Sequence, residues 1–217
     1  MESIIIILGV IGFLLWTIRS PPNPATVSTM SLSPVDPNSY ARTDLVKTTH
    51  VHLEVEVDFK NQILDGHVVL SLEKLDQAAN SVILDARSLT ITKVTEEASG
   101  QVLDFQYGSP SGFGEKLEIK LPSAVAPEFR IRVDYRTSPK SSALQWLTPN
   151  QTAGKQHPYV FSQCQAIHCR SMLPCQVQKE MSYKTSKIVE NVQKDLGMVS
   201  FCVFCTLKRN FTNFTSR

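Results

Sequence analysis

From Val51 to Phe59 the chain alternates without a break: Val51, Leu53, Val55, Val57 and Phe59 are separated by His52, Glu54, Glu56 and Asp58. A period of two puts the apolar side chains on one face of an extended strand and the polar ones on the other. A helix would scatter the same residues around its circumference. The stretch therefore predicts a long strand with one buried and one wet face. Asp65-Gly66 then reads as a turn, followed by a second alternating run from His67 to Leu75 through Val68, Leu70 and Leu72. Shorter strand candidates follow at Val82 to Leu84, Leu89 to Val94, Val102 to Tyr107, Leu117 to Leu121 and Phe129 to Tyr135, separated by turn formers such as Gly112-Phe113-Gly114. No helical periodicity interrupts them. The predicted fold class is mainly β, an antiparallel saddle-like β-sandwich and not a doubly wound α/β sheet.

Of 217 residues, 42% are hydrophobic and 19% charged, which supplies a core. A net charge of +2 with no long run of one sign gives no footprint for nucleic acid. The five cysteines (Cys164, Cys169, Cys175, Cys202 and Cys205) crowd into the last quarter. An odd, crowded set does not read as a disulfide framework, so reduced thiols and a cytosolic domain are expected. Cys202 and Cys205 form a Cys-x-x-Cys pair without the second pair that a structural zinc site needs. His50 and His52 share one strand face, an arrangement that can bind metal. They lie on the wet side with no evident carboxylate or thiol partner, and a solvated face is expected.

Residues 4–18 hold no charged side chain. As a helix they would reach about 22 Å, against a hydrocarbon core of about 30 Å. Glu2 before the run and Arg19-Ser20-Pro21-Pro22 after it fit an uncleaved anchor over residues 1–20 better than a cleaved signal. Arg19 would then leave the rest of the chain on the cytosolic side. The competing readings are a signal peptide, or a gene-model artefact in which Met30 begins a soluble form. Residues 21–39, rich in Pro, Ser and Thr, predict a disordered linker.

Residues 137–176 differ in kind. They read TSPKSSALQWLTPNQTAGKQHPYVFSQCQAIHCRSMLPCQ, rich in uncharged hydrogen-bonding side chains. Strand connections usually run about 2–6 residues, so a stretch this long points to function. Gln163, Gln165 and His168 could present amides and an imidazole to a ligand's peptide groups, or satisfy buried backbone in a compact loop.

The segments Ser138 to Leu147 and Phe161 to Arg170, ending in Leu173-Pro174-Cys175-Gln176, closely resemble the zinc aminopeptidases of the leukotriene A(4) hydrolase and aminopeptidase B branch. A weaker resemblance reaches back to Tyr40 through Thr49-His50-Val51-His52-Leu53, Val57-Asp58-Phe59 and Val82-Ile83-Leu84-Asp85. The resemblance implies that residues 40–176 form the N-terminal β domain that packs on a thermolysin-like catalytic domain holding one zinc ion. It implies peptide, or a leukotriene, as substrate of the full enzyme. It places substrate contacts at Gln163, Cys164, Gln165 and Ala166: Gln165 through its amide, and Cys164 through backbone more than thiol.

The family's zinc motif is His-Glu-x-x-His with a downstream Glu. Here none of His50, His52, His67, His157 and His168 is followed by Glu, and Gly-x-Met-Glu-Asn is absent. No cofactor is therefore expected in this chain, which reads as a truncated, inactive front end. The alternative is a non-catalytic β module that binds a protein partner through the face left without its catalytic domain. Residues 177–217 show no resemblance. In this tail, Ser186 to Leu196 predicts a short amphipathic helix ended by Gly197, and Met198 to Leu207 an apolar run able to pair as a strand. Sequons begin at Asn150, Asn210 and Asn213 and matter only in the secretory pathway.

Overall fold

The structure is a computed structural model that describes residues 32–123 and 125–176, and the backbone of 184–191 and 198–200. The apolar segment 4–18 and most of the tail lie outside the described residues. Among those described, no helix is long and apolar enough to cross a membrane.

Among the described residues eleven strands form three sheets. The largest contains β1 (Val46–Asp58), β2 (Ile63–Lys74), β4 (Thr90–Glu96), β7 (Glu128–Arg136) and β10 (Lys184–Asn191), in the order β10-β1-β2-β7-β4. A second, β3-β6-β5, contains β3 (Ser81–Ala86), β5 (Phe105–Tyr107) and β6 (Glu115–Lys120). The third, β11-β9-β8, contains β8 (Leu144–Leu147), β9 (Tyr159–Ser162) and β11 (Met198–Ser200). Pairing is antiparallel except where β10 joins β1 and β11 joins β9. The mainly β, sandwich-type reading of the sequence holds.

The alternating runs come into register as rows. Leu53 faces Val68, Val68 faces Val133 and Val133 faces Val94, four fully buried side chains across four strands. Val51, Leu70 and Ile131 form the next row. Opposite them, Val82 pairs Ile119 and Leu84 pairs Leu117, and all join one core. Each buried aliphatic side chain contributes about 1.5–3 kcal/mol over leaving it in water, so these rows carry much of the fold's stability.

Three expectations need correction. First, Asp65-Gly66 is inside β2, and the chain turns at residues 59–62, with Gln62 at φ 56°. Gly66 is needed for close approach instead. A Cβ there would lie 2.3 Å from the Glu54 carbonyl oxygen, where β1 and β2 pinch between Val55 and Tyr135. Second, the described part of the predicted Ser186 to Leu196 helix is not helical: Lys184–Asn191 runs as a strand parallel to β1. The outer edge of β1 offers unpaired backbone groups, which override a weak local helix preference. Met198–Ser200 pairs as a strand, as its apolar run allows. Third, the end of the expected linker is folded. Ser33 and Ser39 are buried, and the Ser39 hydroxyl donates to Asp85 Oδ2 at 2.6 Å.

Leu70→Ala should cost about 2–5 kcal/mol, because the rigid rows cannot collapse into the cavity. Gly66→Ala should cost more than about 1 kcal/mol, because strand backbone must move aside. Urea unfolding followed by circular dichroism checks both. A Gly66→Ala midpoint equal to that of the parent would refute the close-approach role.

Candidate functional site

The segment 137–176 is not the irregular loop that its composition suggests. Strands β8 and β9 pair within it, and a 3-10 turn covers His168–Ser171. The four candidate contact residues leave the end of β9 together. The Gln163 N–H donates to the Ala143 carbonyl at 2.8 Å, which holds the exit from the strand. Gln163, Gln165 and Ala166 are exposed, while Cys164 is buried. The Gln165–Ala166 peptide bond is cis. The two amides thus stand at the surface while the residue between them points into the core.

Cys164 is disulfide-bonded to Cys169, with the two Cα atoms 4.3 Å apart. The expectation of reduced thiols fails for this pair. Five residues of separation suffice because the chain reverses between them, and the His168 N–H reaches back to the Cys164 carbonyl at 3.1 Å. His168 Nδ1 lies 2.8 Å from Ser142 Oγ, so its imidazole is engaged by the protein.

The far side of the loop is fixed by polar anchors. Arg170 is fully buried. Its Nη2 donates to the Asn38 carbonyl at 2.9 Å and lies 3.5 Å from Asp85 Oδ2, and its Nη1 donates to the Phe113 carbonyl. Asp85 also accepts from the Tyr40 N–H at 2.8 Å. Ser171 Oγ accepts from the Ala143 N–H at 3.1 Å. The Gln176 amide accepts from the Thr48 N–H at 2.8 Å and donates to the Val46 carbonyl at 2.8 Å, clamping the loop's end to β1. Cys175 is a free, buried thiol whose pKa burial pushes up to about 12, so it stays protonated and unreactive at neutral pH.

Sequence reasoning missed the Arg170–Asp85 pair, although a signal was present. Arg170 is the one Lys, Arg, Asp or Glu between Lys155 and Lys179, and Asp85 ends the apolar run Val82-Ile83-Leu84. Charges embedded in apolar sequence are rarely buried unless paired.

His52 is less isolated than its sequence suggests. Glu54 Oε2 stands 4.0 Å from His52 Nε2 and 3.7 Å from His67 Nε2, across the β1–β2 pairing. Burial and the Arg132 guanidinium hold the His67 pKa below the usual value, against smaller opposing pulls from Glu54 and Asp134. Among the described residues no group of three His, Cys, Asp or Glu side chains is arranged for a metal. A groove of about 810 Å³ is lined by Thr49, Ser71, Glu73, Glu96, Glu128 and Arg130, among others, and by no residue of the 163–176 loop.

The Peptidase M1 N-terminal domain family matches residues 37–185. The chain belongs to this family, as its N-terminal domain. Leukotriene A-4 hydrolase of Xenopus laevis is 45% identical over 144 residues, 65% of this chain and 23% of that protein. Leucine aminopeptidase 2 of Phaeosphaeria nodorum is 40% identical over 147 residues, again 23% of its length. The solved structure of native yeast LTA4 hydrolase superposes with a TM-score of 0.61 at 31% identity, over 70% of this chain and 24% of that one. The chain thus spans about a quarter of the length of the relatives it matches.

Arg170→Ala strands Asp85 as a buried charge and should cost about 3–5 kcal/mol, measured by thermal or urea unfolding. A second outcome concerns pH. With its folded pKa depressed, His67 supports the fold while neutral, above the unfolded value of about 6.5. Stability should fall as pH drops through about 6.5 toward the depressed folded value, because the unfolded chain takes up the proton first. His67→Gln should flatten that part of the profile, and an unchanged slope would exclude His67 as the cause.

Proposed function

We propose that this domain forms the substrate-side wall of a zinc aminopeptidase, with Gln163, Gln165, Ala166 and the Cys164 backbone meeting a peptide near its free amino terminus. Two exposed amides on a loop whose ends are tied into the core carry this reading. A primary amide can both accept from an ammonium and donate to a carbonyl without adding charge. Holding it in place in advance lowers the ordering cost of binding. The relatives' names support peptide as substrate and leukotriene A-4 as a second one.

Hydrolysis belongs to a separate catalytic domain. The 217 residues contain no His-Glu-x-x-His, and among the described residues no three donors are arranged for a metal. Amides alone cannot generate hydroxide at neutral pH. The chain by itself therefore binds and positions but does not turn over.

The alternative is an interaction module for another protein. Among the described residues the large apolar side chains left exposed are Val35, Leu75, Val102 and Tyr107, from four separate segments. Scattered apolar residues are ordinary on a protein surface, which leaves this reading second.

The purified 217-residue chain should contain no stoichiometric zinc and show no aminopeptidase turnover. Zinc at one equivalent with chelator-sensitive turnover would overturn the proposal. Mixed with a separately expressed catalytic domain of the family, the chain should co-elute in size-exclusion chromatography and raise kcat/KM. Gln165→Ala should lower that kcat/KM about tenfold, the equivalent of about 1.4 kcal/mol for one hydrogen bond to substrate.

A further inference from the structure

The turn that joins β8 to β9 carries Asn150-Gln151-Thr152, an acceptor sequence for N-linked glycosylation that the function proposed above does not use. The fold places it in the open. Asn150 and residues 153–157 are exposed, and a Cβ added at Gly154 would meet nothing within 4 Å. The turn is held by the neighbours of Asn150. The Thr148 N–H donates to the Gln151 amide oxygen at 2.9 Å. The Thr152 hydroxyl stands 2.9 Å from the Pro149 carbonyl oxygen and 2.8 Å from that of His157. The Asn150 side chain can therefore carry a bulky group without disturbing the turn. It also lies at the far end of the hairpin from the contact segment. Leu147 pairs with Tyr159 beside the turn, and Gln163 leaves the other end of β9, about 13 Å further on by the rise of a strand. A glycan on Asn150 would leave Gln163 and Gln165 uncovered.

A second observation bears on compartment. The cytosolic expectation rests on reduced thiols, and the Cys164–Cys169 bridge removes that support. Disulfides form and persist where the surroundings are oxidising, and the lumen of the endoplasmic reticulum, where glycans are transferred, is such a place. Residues 4–18 have the length and apolar character of the hydrophobic region of a secretory signal. We propose that this domain matures in the secretory pathway and carries an N-linked glycan on Asn150. This placement is the reverse of the one Arg19 suggests, since it puts the β domain on the lumenal side of residues 4–18. It does not depend on the substrate contacts proposed above. The transfer is a nucleophilic substitution. The Asn150 amide nitrogen attacks the anomeric carbon of an oligosaccharide held on a lipid pyrophosphate. A nitrogen–carbon bond forms, and the carbon–oxygen bond to the pyrophosphate breaks. The lipid pyrophosphate leaves with the electron pair, and one amide proton passes to a base of the transferase. The product is a bulky, solubilising surface group on the hairpin turn.

The test uses the full 217-residue chain expressed in cultured animal cells, recovered from cells and medium, and denatured. It is digested with trypsin before and after treatment with a peptide N-glycosidase. Cleavage after Lys140 and Lys155 isolates residues 141–155, in which Asn150 is the one asparagine. Before treatment the unmodified peptide should be lost. After treatment it should appear with aspartate in place of Asn150, the mark left when a glycan is removed by the enzyme. Asn150→Gln and Thr152→Ala break the acceptor sequence in different ways. Each should abolish that conversion and speed the intact chain on a denaturing gel by one glycan. If either variant is degraded for want of folding, the peptide map of the parent chain decides alone. Recovery of peptide 141–155 wholly unmodified before treatment overturns the proposal, whether or not Asn210 and Asn213 are glycosylated. Failure of Gln165→Ala to affect a reconstituted enzyme would bear on the substrate reading instead and leave the Asn150 site standing.

Discussion

The Arg170 guanidinium has no exposed surface, and neither has the Asp85 carboxylate it faces. Desolvating two charges costs several kcal/mol each, which attraction offsets only where other hydrogen bonds fill the remaining positions. Here they largely do. Asp85 collects Ser39 and Tyr40, while Arg170 reaches Asn38 and Phe113. Arg170 Nε is the exception, without a protein partner. The pair therefore ties the chain before β1, the turn between β5 and β6, and the far side of the contact loop to strand β3. Hydrophobic residues could fill the same volume, but they would not fix direction. Charged groups with defined partners leave the loop one arrangement.

The position of that loop follows from this anchoring. Gln163 leaves β9 in a direction set by the backbone bond to Ala143, and Arg170 returns the chain to the core. What lies between is exposed, short and closed by a disulfide. Such a segment suits recognition, because its amides are presented by a scaffold that loses little freedom when a ligand arrives. Catalysis asks for something else, a metal or base able to activate water, which the function proposed above assigns to a separate domain.

Much of the sandwich was legible because alternation is a local property. In β1, β2 and β7 the period of two named the buried residues before any register was known. The start of β1 was not legible, for a reason the register gives. The pairing with β2 shifts between Thr48 and His50, so Val46 and Thr48 are buried on even positions while Val51, Leu53 and Val55 are buried on odd ones. A bulge resets the phase, and a pattern search sees a break where the strand continues. Asp65-Gly66 misled for a similar reason. Glycine marks both a turn and a place where two backbones come close, and only the neighbour across the strand pair tells them apart.

By itself the sequence determined the fold class, the buried faces of the long strands and the family, since each is written in residue order or in local period. Tertiary structure decided the rest. The Cys164–Cys169 bridge, the Arg170–Asp85 pair, the capture of Ser39 by the core and the parallel pairing of Lys184–Asn191 with β1 all join residues whose partners are fixed by the path of the chain. Crowded cysteines, a lone arginine and a polar tail carry no local mark of what they will meet. That depends on which edge is left unpaired and which charge is already buried once the sheets have closed.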